Sequence, residues 1–272
     1  MTRRLKRDSI LFSVAMLLLG VCRGAAAHDT WVQTNTNTVR AGDVVFVDLL
    51  LGNHGNDHRD FKMAGKPDRA ASRLEVIAPG GSKYDINDRL IDRGYAPSEG
   101  YWSARFVPAE VGLHLVAHSM DKVVSYAPTR SVKSAKAYFL VSSSLDHVEA
   151  DKRRFDEPLG HPLELVPKSH PVTPMGPGSP IDVQVLYKGR PLADARVSFV
   201  PRGETLSEGF DDRYERKTDA DGRASFTPAE GNYYLVVVHH VDPRASGPGY
   251  ESTKYSATLT VLVPQVCPCC LD

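Results

Sequence analysis

Ten histidines carry most of the chemistry this sequence offers. Neutral imidazole is the commonest protein ligand for nickel, cobalt, copper and zinc, so their placement decides whether one ion could be held. His28 stands directly after the small-residue run "RGAAA". Cleavage after Ala27 would make it the first residue, and its α-amine and imidazole Nδ1 could then chelate a metal together. Asp29 beside it is either an acceptor that orients a ligand or simply the start of a strand. His54 and His58, in "GNHGNDHRD", lie on a Gly- and Asn-rich loop after an apolar run. That spacing on a loop lets both rings meet one ion, with Asp57 and Asp60 available to ligate or orient.

His114 and His118 fall on one face of the strand-like "VGLHLVAHS", roughly 13 Å apart along it, too far to share an ion through that spacing. His118, nearer the strand end, can join a loop-built site. His114 reads as a solvent-facing or internally satisfied side chain. His239 and His240 end the apolar run "YYLVVVHH" and point to opposite faces, so one of the two can face a given site. His239 goes with Leu235 and Val237, His240 with Val236 and Val238, and either set could be the buried one. His147, His161 and His170 sit in linker-like surroundings and are left out of the site. The candidate metal ligands are therefore His28, His54, His58, His118, His239 and His240.

Other chemistries find little footing. The chain has no Gly-x-Ser-x-Gly elbow, no phosphate-cradling Gly-rich loop and no His-Glu-x-x-His helix motif. Its carboxylates are spread over turns and linker, so no acid–base pair can be named and no enzyme is expected. Trp31, Trp102, Tyr95 and Tyr101 could line a sugar or peptide groove, but such residues more often pack cores. Lys plus Arg and Asp plus Glu balance at 33 each, which is unlike the basic footprint of a nucleic-acid binder.

The elements that must hold these residues begin with an export signal. The basic opening "MTRRLKR", the apolar run Ile10–Val21 and an Ala-x-Ala site at Ala25 and Ala27 describe a secretory signal peptide over residues 1–27. The run is too short to span a bilayer. A lipoprotein signal at Cys22 competes, but Val21 occupies the place such signals give to a small residue. We expect a periplasmic chain that does not span the membrane. Cys267, Cys269 and Cys270 then remain in the tail "QVCPCCLD", read either as a disordered end with one disulfide or as a soft-metal or redox tail.

Helical periodicity is nearly absent. Short β-branched and aromatic runs separated by Gly, Pro, Asn and Asp predict an all-β chain of two immunoglobulin-like or transthyretin-like β-sandwich domains. The expected division is 28–143, a linker 144–180 containing "HPVTPMGPGSP", 181–264, and the Cys-rich tail 265–272.

Two resemblances sharpen this reading. "VQVLYKGRPLADARVSF" followed by "TDADGRASFTPAEGNYYLVV" resembles a transthyretin-like or carboxypeptidase-regulatory-like module, which implies a scaffold and no particular activity. The wider series "AHDTWVQ", "LLLGNHG", "LGHPLELVP", that module, "VVVHH" and "YESTKYSATLTVLV" resembles the NikM-like family. This is a domain of unknown function associated with periplasmic components of nickel and cobalt uptake. The resemblance places "GNH" where that family has a Gly-His element. It implies a divalent-metal-binding protein that hands nickel, cobalt or a similar ion to a membrane importer, with affinity falling below about pH 6.5 as imidazoles protonate. Two rival readings are an envelope scaffold or adhesion protein without metal, and a redox protein built on a copper brace at His28.

Overall fold

The computed structural model describes residues 28–52, 60, 62–94, 96–146, 148 and 155–265. The expected signal peptide, His54, His58, His147, Tyr95 and all the cysteines lie outside the described residues. Within them the chain is all-β, as its composition predicts, with two single 3-10 turns at Arg69–Ala71 and Asn87–Arg89.

The first half supplies β1 (Asp29–Thr34), β2 (Thr38–Arg40), β3 (Val45–Gly52), β4 (Met63–Gly65), β5 (Ser72–Ile77), β6 (Lys83–Asp85), β7 (Ile91–Asp92), β8 (Trp102–Phe106), β9 (Gly112–Val123) and β10 (Thr129–Ser142). The second half supplies β11 (Leu163–Pro167), β12 (Ile181–Tyr187), β13 (Arg190–Pro191), β14 (Arg196–Pro201), β15 (Glu215–Lys217), β16 (Arg223–Phe226), β17 (Asn232–Asp242) and β18 (Ser252–Val263).

These strands form three sheets. The central one runs β15-β14-β17-β18-β10-β9-β5-β6, with β2 joining β10. It crosses the midpoint of the chain because β10 and β18 pair in parallel, Lys133 opposite Ser256 and Ala135 opposite Thr258. A smaller sheet, β1-β3-β8-β7 with β4 on β3, covers one face. There Val32, Val47, Leu49 and Ala104 meet Leu74, Val116, Ala135 and Ala137. The third sheet, β11-β12-β13 with β16 also on β12, covers the opposite face. Its Leu163, Leu165, Ile181, Val183 and Val185 pack on Val236, Val238, Leu259 and Val261. The two expected sandwiches thus share one middle sheet. The stretch expected as linker contributes β11, whose five residues are all buried.

The shared sheet explains why alternation in the sequence does not mark an outside. On β17, Leu235 and Val237 lie beneath β1 with Trp31, whereas Val236 and Val238 face the third sheet, so both faces are buried. On β9, His114 sits among Phe106 and Phe139, stacked on Phe139 at 5.0 Å, with Nδ1 3.1 Å from the Gly112 carbonyl. Its expected alternative as a solvent-facing residue gives way to burial on that account.

Local turn chemistry follows the sequence. Lys188 and Gly189 both take positive φ in the tight β12–β13 hairpin, the twist that two-residue hairpins favour. Gly222, in "TDADG", has φ +73, and its Cα hydrogen faces the Val185 carbonyl so closely that a Cβ would stand 2.6 Å from that oxygen. Trp31 is buried between the sandwiches. Trp102 donates its indole N–H to the Pro67 carbonyl and is flanked by Lys66 and Arg69. Both tryptophans are therefore packing residues rather than walls of a groove.

Candidate functional site

The first strand begins over one cross-strand row of the central sheet. That row reads Ser72, Met120, Lys133, Ser256, His239, taken from β5, β9, β10, β18 and β17 in turn. β1 crosses above it and is tied down where Thr258 Oγ1 donates to the Thr30 carbonyl at 2.9 Å. The alternation that sends Trp31 toward Val237 sends Asp29 toward His239, two residues further along β17.

Asp29 is fully buried, and His239 Nε2 lies 3.0 and 2.9 Å from its two carboxylate oxygens. A carboxylate only accepts, so Nε2 carries the proton. In the neutral ring the metal-binding lone pair is then on Nδ1. The His239 side chain is 39% exposed although its partner is not, so the ring bridges interior and surface.

Lys133 approaches from the other side. Its ammonium is buried and donates to the His28 carbonyl. Burial pushes its pKa down to about 8, against the opposing pull of Asp29. Asp29 thus stands between a cation on β10 and an imidazole on β17, two strand spacings or roughly 10 Å apart at the backbone. His28 itself is exposed at the head of β1.

At the same end of the molecule β3 ends and β4 joins it. Gly52 pairs with Asp29 in the β1–β3 ladder, and there the register shifts as β4 joins. A Cβ on Gly52 would fall 2.0 Å from the Lys62 carbonyl, so only glycine lets the returning chain pass this closely. His54 and His58 lie outside the described residues. The segment returns at Asp60, which is buried and bridges to Thr205.

The six expected ligands are therefore distributed unequally. His239 is held by Asp29, and His28 is the exposed residue directly before that aspartate. His118 lies on the same sheet face, but three strand steps and one row separate it from His239, roughly 15 Å at the backbone. It is fully buried, with Nδ1 3.0 Å from the Arg73 carbonyl and a pKa pushed down to about 3 by desolvation. It belongs to the first sandwich's core. His240 points to the opposite face of β17, its ring 4.2 Å from that of Tyr187. It cannot turn toward Asp29 without reversing the strand's alternation. Of the three histidines left out, His170 Nδ1 accepts from the Val172 and Thr173 amides, a turn-capping role. His161 is half-buried beside Glu164. Among the described residues, no three His, Cys, Asp or Glu side chains converge closely enough to hold an ion.

Lys133 escaped notice in the sequence because "RSVKSAKAYF" reads as an ordinary strand with solvated lysines. Only the parallel partner β18 and the overlying β1 bury it. The Cys-bearing tail leaves from the far end of β18, roughly 23 Å along the strand from Ser256 to Val263.

A family model described as a domain of unknown function, DUF4198, matches residues 25–242. No curated protein matches the chain. Among solved structures, a Salmonella α2-macroglobulin reacted with methylamine is 14% identical with a TM-score of 0.26, and the match covers 87% of this chain and 15% of that one. This chain therefore spans only a small part of that protein. A DUF4785 family protein from Legionella pneumophila is 14% identical with a TM-score of 0.28, covering 76% of this chain and 52% of that one. The Yersinia pseudotuberculosis adhesin InvE is 13% identical with a TM-score of 0.24, covering 87% and 61%.

Proposed function

The chain belongs to the DUF4198 family of unknown function, and we propose that it is a periplasmic protein that binds a divalent transition metal of the nickel or cobalt type and passes it to a membrane importer. The observation that carries this reading is the Asp29–His239 contact across 210 residues of sequence. It fixes an imidazole beside the residue that would become the mature N-terminus. A buried carboxylate that takes one ring N–H of a histidine is the arrangement that orients imidazole for a metal.

His28 supplies an imidazole and, after cleavage at Ala27, an amine. His239 supplies a second imidazole. His54 and His58, which lie outside the described residues, are the remaining donors on the strength of the sequence reading. His118 and His240 are not part of the site. The ion is cargo here, so an exposed, incompletely closed donor set suits reversible loading better than a sealed structural site would. The resemblance to NikM-like proteins gives the choice of nickel or cobalt, whereas imidazole donors alone also accept copper and zinc.

Calorimetric titration of the mature protein beginning at His28 tests the proposal. One equivalent of Ni²⁺, Co²⁺, Cu²⁺ or Zn²⁺ should bind at pH 7.5, and His239→Ala or His54→Ala should weaken uptake while His240→Ala does not. Absence of uptake for all four ions ends the proposal.

A further inference from the structure

Lys133 is an expensive residue for a fold to keep. An ammonium taken out of water costs several kcal/mol unless its charge and its donors are matched, and this one is 6% exposed. Its position accounts for the burial. Nζ donates to the main-chain carbonyl of His28, and the Asp29 carboxylate lies close enough to act on it electrostatically. Neither partner is on a neighbouring strand of its own sheet. Both lie at the start of β1, Asp29 as its first residue and His28 just before it, in the sheet stacked above.

The contacts around this point define a three-way anchor. The Thr258 hydroxyl holds the Thr30 carbonyl, His239 holds the Asp29 side chain, and Lys133 holds the His28 carbonyl. The last acts nearest the chain start and fixes the peptide group that joins His28 to Asp29. Holding that peptide group fixes where the His28 Cα sits, and rotation about Cα–C then places its amine and ring. An N-terminal chelate through amine and imidazole depends on the amine, Cα and ring of that single residue.

We infer that Lys133 is a positioning residue which, through the His28 carbonyl and Asp29, holds the first mature residue of the chain at the place from which its amine and imidazole reach the metal. The inference rests on the metal-binding reading above and adds to it a residue that touches no ion. It also gives the burial of Lys133 a specific purpose, since an apolar side chain of the same length would fill the space without holding the carbonyl.

The test uses the mature protein beginning at His28, Cu²⁺ as the probe ion, and the Lys133→Met variant, which keeps the length of the side chain and removes its donor. Hydrogen exchange of the metal-free protein should rise across β1 in K133M, with β8 and β18 unchanged. Copper affinity should fall 10–100-fold, the range seen when groups that orient metal ligands are removed. The Cu²⁺ electron paramagnetic resonance spectrum should change, which a general loss of stability would not bring about in the folded fraction. Lys133→Gln, which retains an N–H donor without the charge, should fall between the two, and carries the same comparison should K133M not fold. Wild-type exchange at β1 together with an unaltered copper spectrum would overturn the role of Lys133 alone. A wild-type protein that takes up no copper overturns the metal reading and the ligand role of His28 with it, while the β1 exchange still reports separately whether Lys133 anchors the strand.

Discussion

The buried Lys136–Glu164 pair offers the sharpest test of how the two sandwiches are joined. Lys136 projects from β10 and Glu164 from β11, their side chains 2% and 1% exposed and in contact at 2.5 Å. Glu164 also accepts the backbone amides of Leu159 at 2.6 Å, Gly160 at 2.9 Å and His161 at 3.1 Å. One carboxylate therefore neutralises a buried cation and satisfies the turn that leads into the third sheet. Removing one partner of a buried pair typically costs about 3–5 kcal/mol, but the two partners are not equivalent here. Glu164→Gln leaves Lys136 charged with no counter-charge and turns an amide NH₂ against main-chain donors, so it belongs near the top of that range, about 4–5 kcal/mol. Lys136→Met leaves a carboxylate still held by three amides, each worth about 1.5–3 kcal/mol to a charged acceptor, so its cost belongs at about 2–3 kcal/mol. The double variant should lose less than the sum by at least about 1 kcal/mol, since residues in one network are coupled. Urea unfolding of the four proteins measures these differences. For a domain of this size 1 kcal/mol corresponds to about 2–4 °C in Tm, which gives an independent check. Equal losses for the single variants, or additivity within about 0.5 kcal/mol, would refute the claim that Glu164 serves cation and turn together. Because Lys136 and the backbone donors hold its pKa below the usual carboxylate value, Glu164 contributes stability above the ordinary range near 4.3 and loses it as pH falls through the lower folded value.

Two further outcomes follow from the core and the turns. His118 is buried neutral, with its folded pKa near 3 against 6.5 unfolded, so the unfolded chain binds the extra proton between those values. Stability should fall as pH drops through that window, by about 1.4 kcal/mol per pH unit, and His118→Gln should flatten the slope in urea titrations at successive pH values. An unchanged slope would mean that His118 is protonated in the folded protein. Gly222→Ala should cost at least about 1–2 kcal/mol from its left-handed backbone alone, with more from the approach to the Val185 carbonyl. A neutral result in the unfolding midpoint would show that the turn opens freely.

Much of the fold was legible because strands announce themselves locally. "VVFVDLLLG", "GLHLVAHSM", "KAYFLVS" and "YSATLTVLV" all lie within strands or their immediate flanks. What the sequence hid is the pairing of β10 with β18, a parallel contact between segments more than a hundred residues apart. Parallel neighbours need a long crossover and leave no hairpin signal between them. That one pairing changes the meaning of every alternation near it. Lys133 and Lys136 sit on opposite faces of β10, and each looks like a solvated residue in "KSAK" because half of an ordinary antiparallel strand is wet. Here both faces are covered, one by β1 and one by β11, so the two lysines become the buried cations that meet Asp29 and Glu164.

The candidate site was half legible for the same reason. His28 and Asp29 could be singled out because they follow a cleavage signal, and His239 because it closes an apolar run. Nothing local joins them, since Asp29 reaches His239 only where β1 crosses β18, and no periodicity encodes a crossing between stacked sheets. The separation of His239 from His240 was decidable in principle, since adjacent residues on a strand must diverge. The sequence could not say which face β1 would cover. Trp31 supplies the missing sign. It is the large apolar residue two positions after Asp29, and it needs an apolar floor, which Leu235 and Val237 provide. With Trp31 seated there, the two-residue period turns Asp29 to the same face, toward the end of β17 where His239 stands. The burial of a tryptophan therefore helps to set the geometry of the polar site. Shaving that side chain by Trp31→Ala should loosen the Asp29–His239 contact even though neither residue is altered.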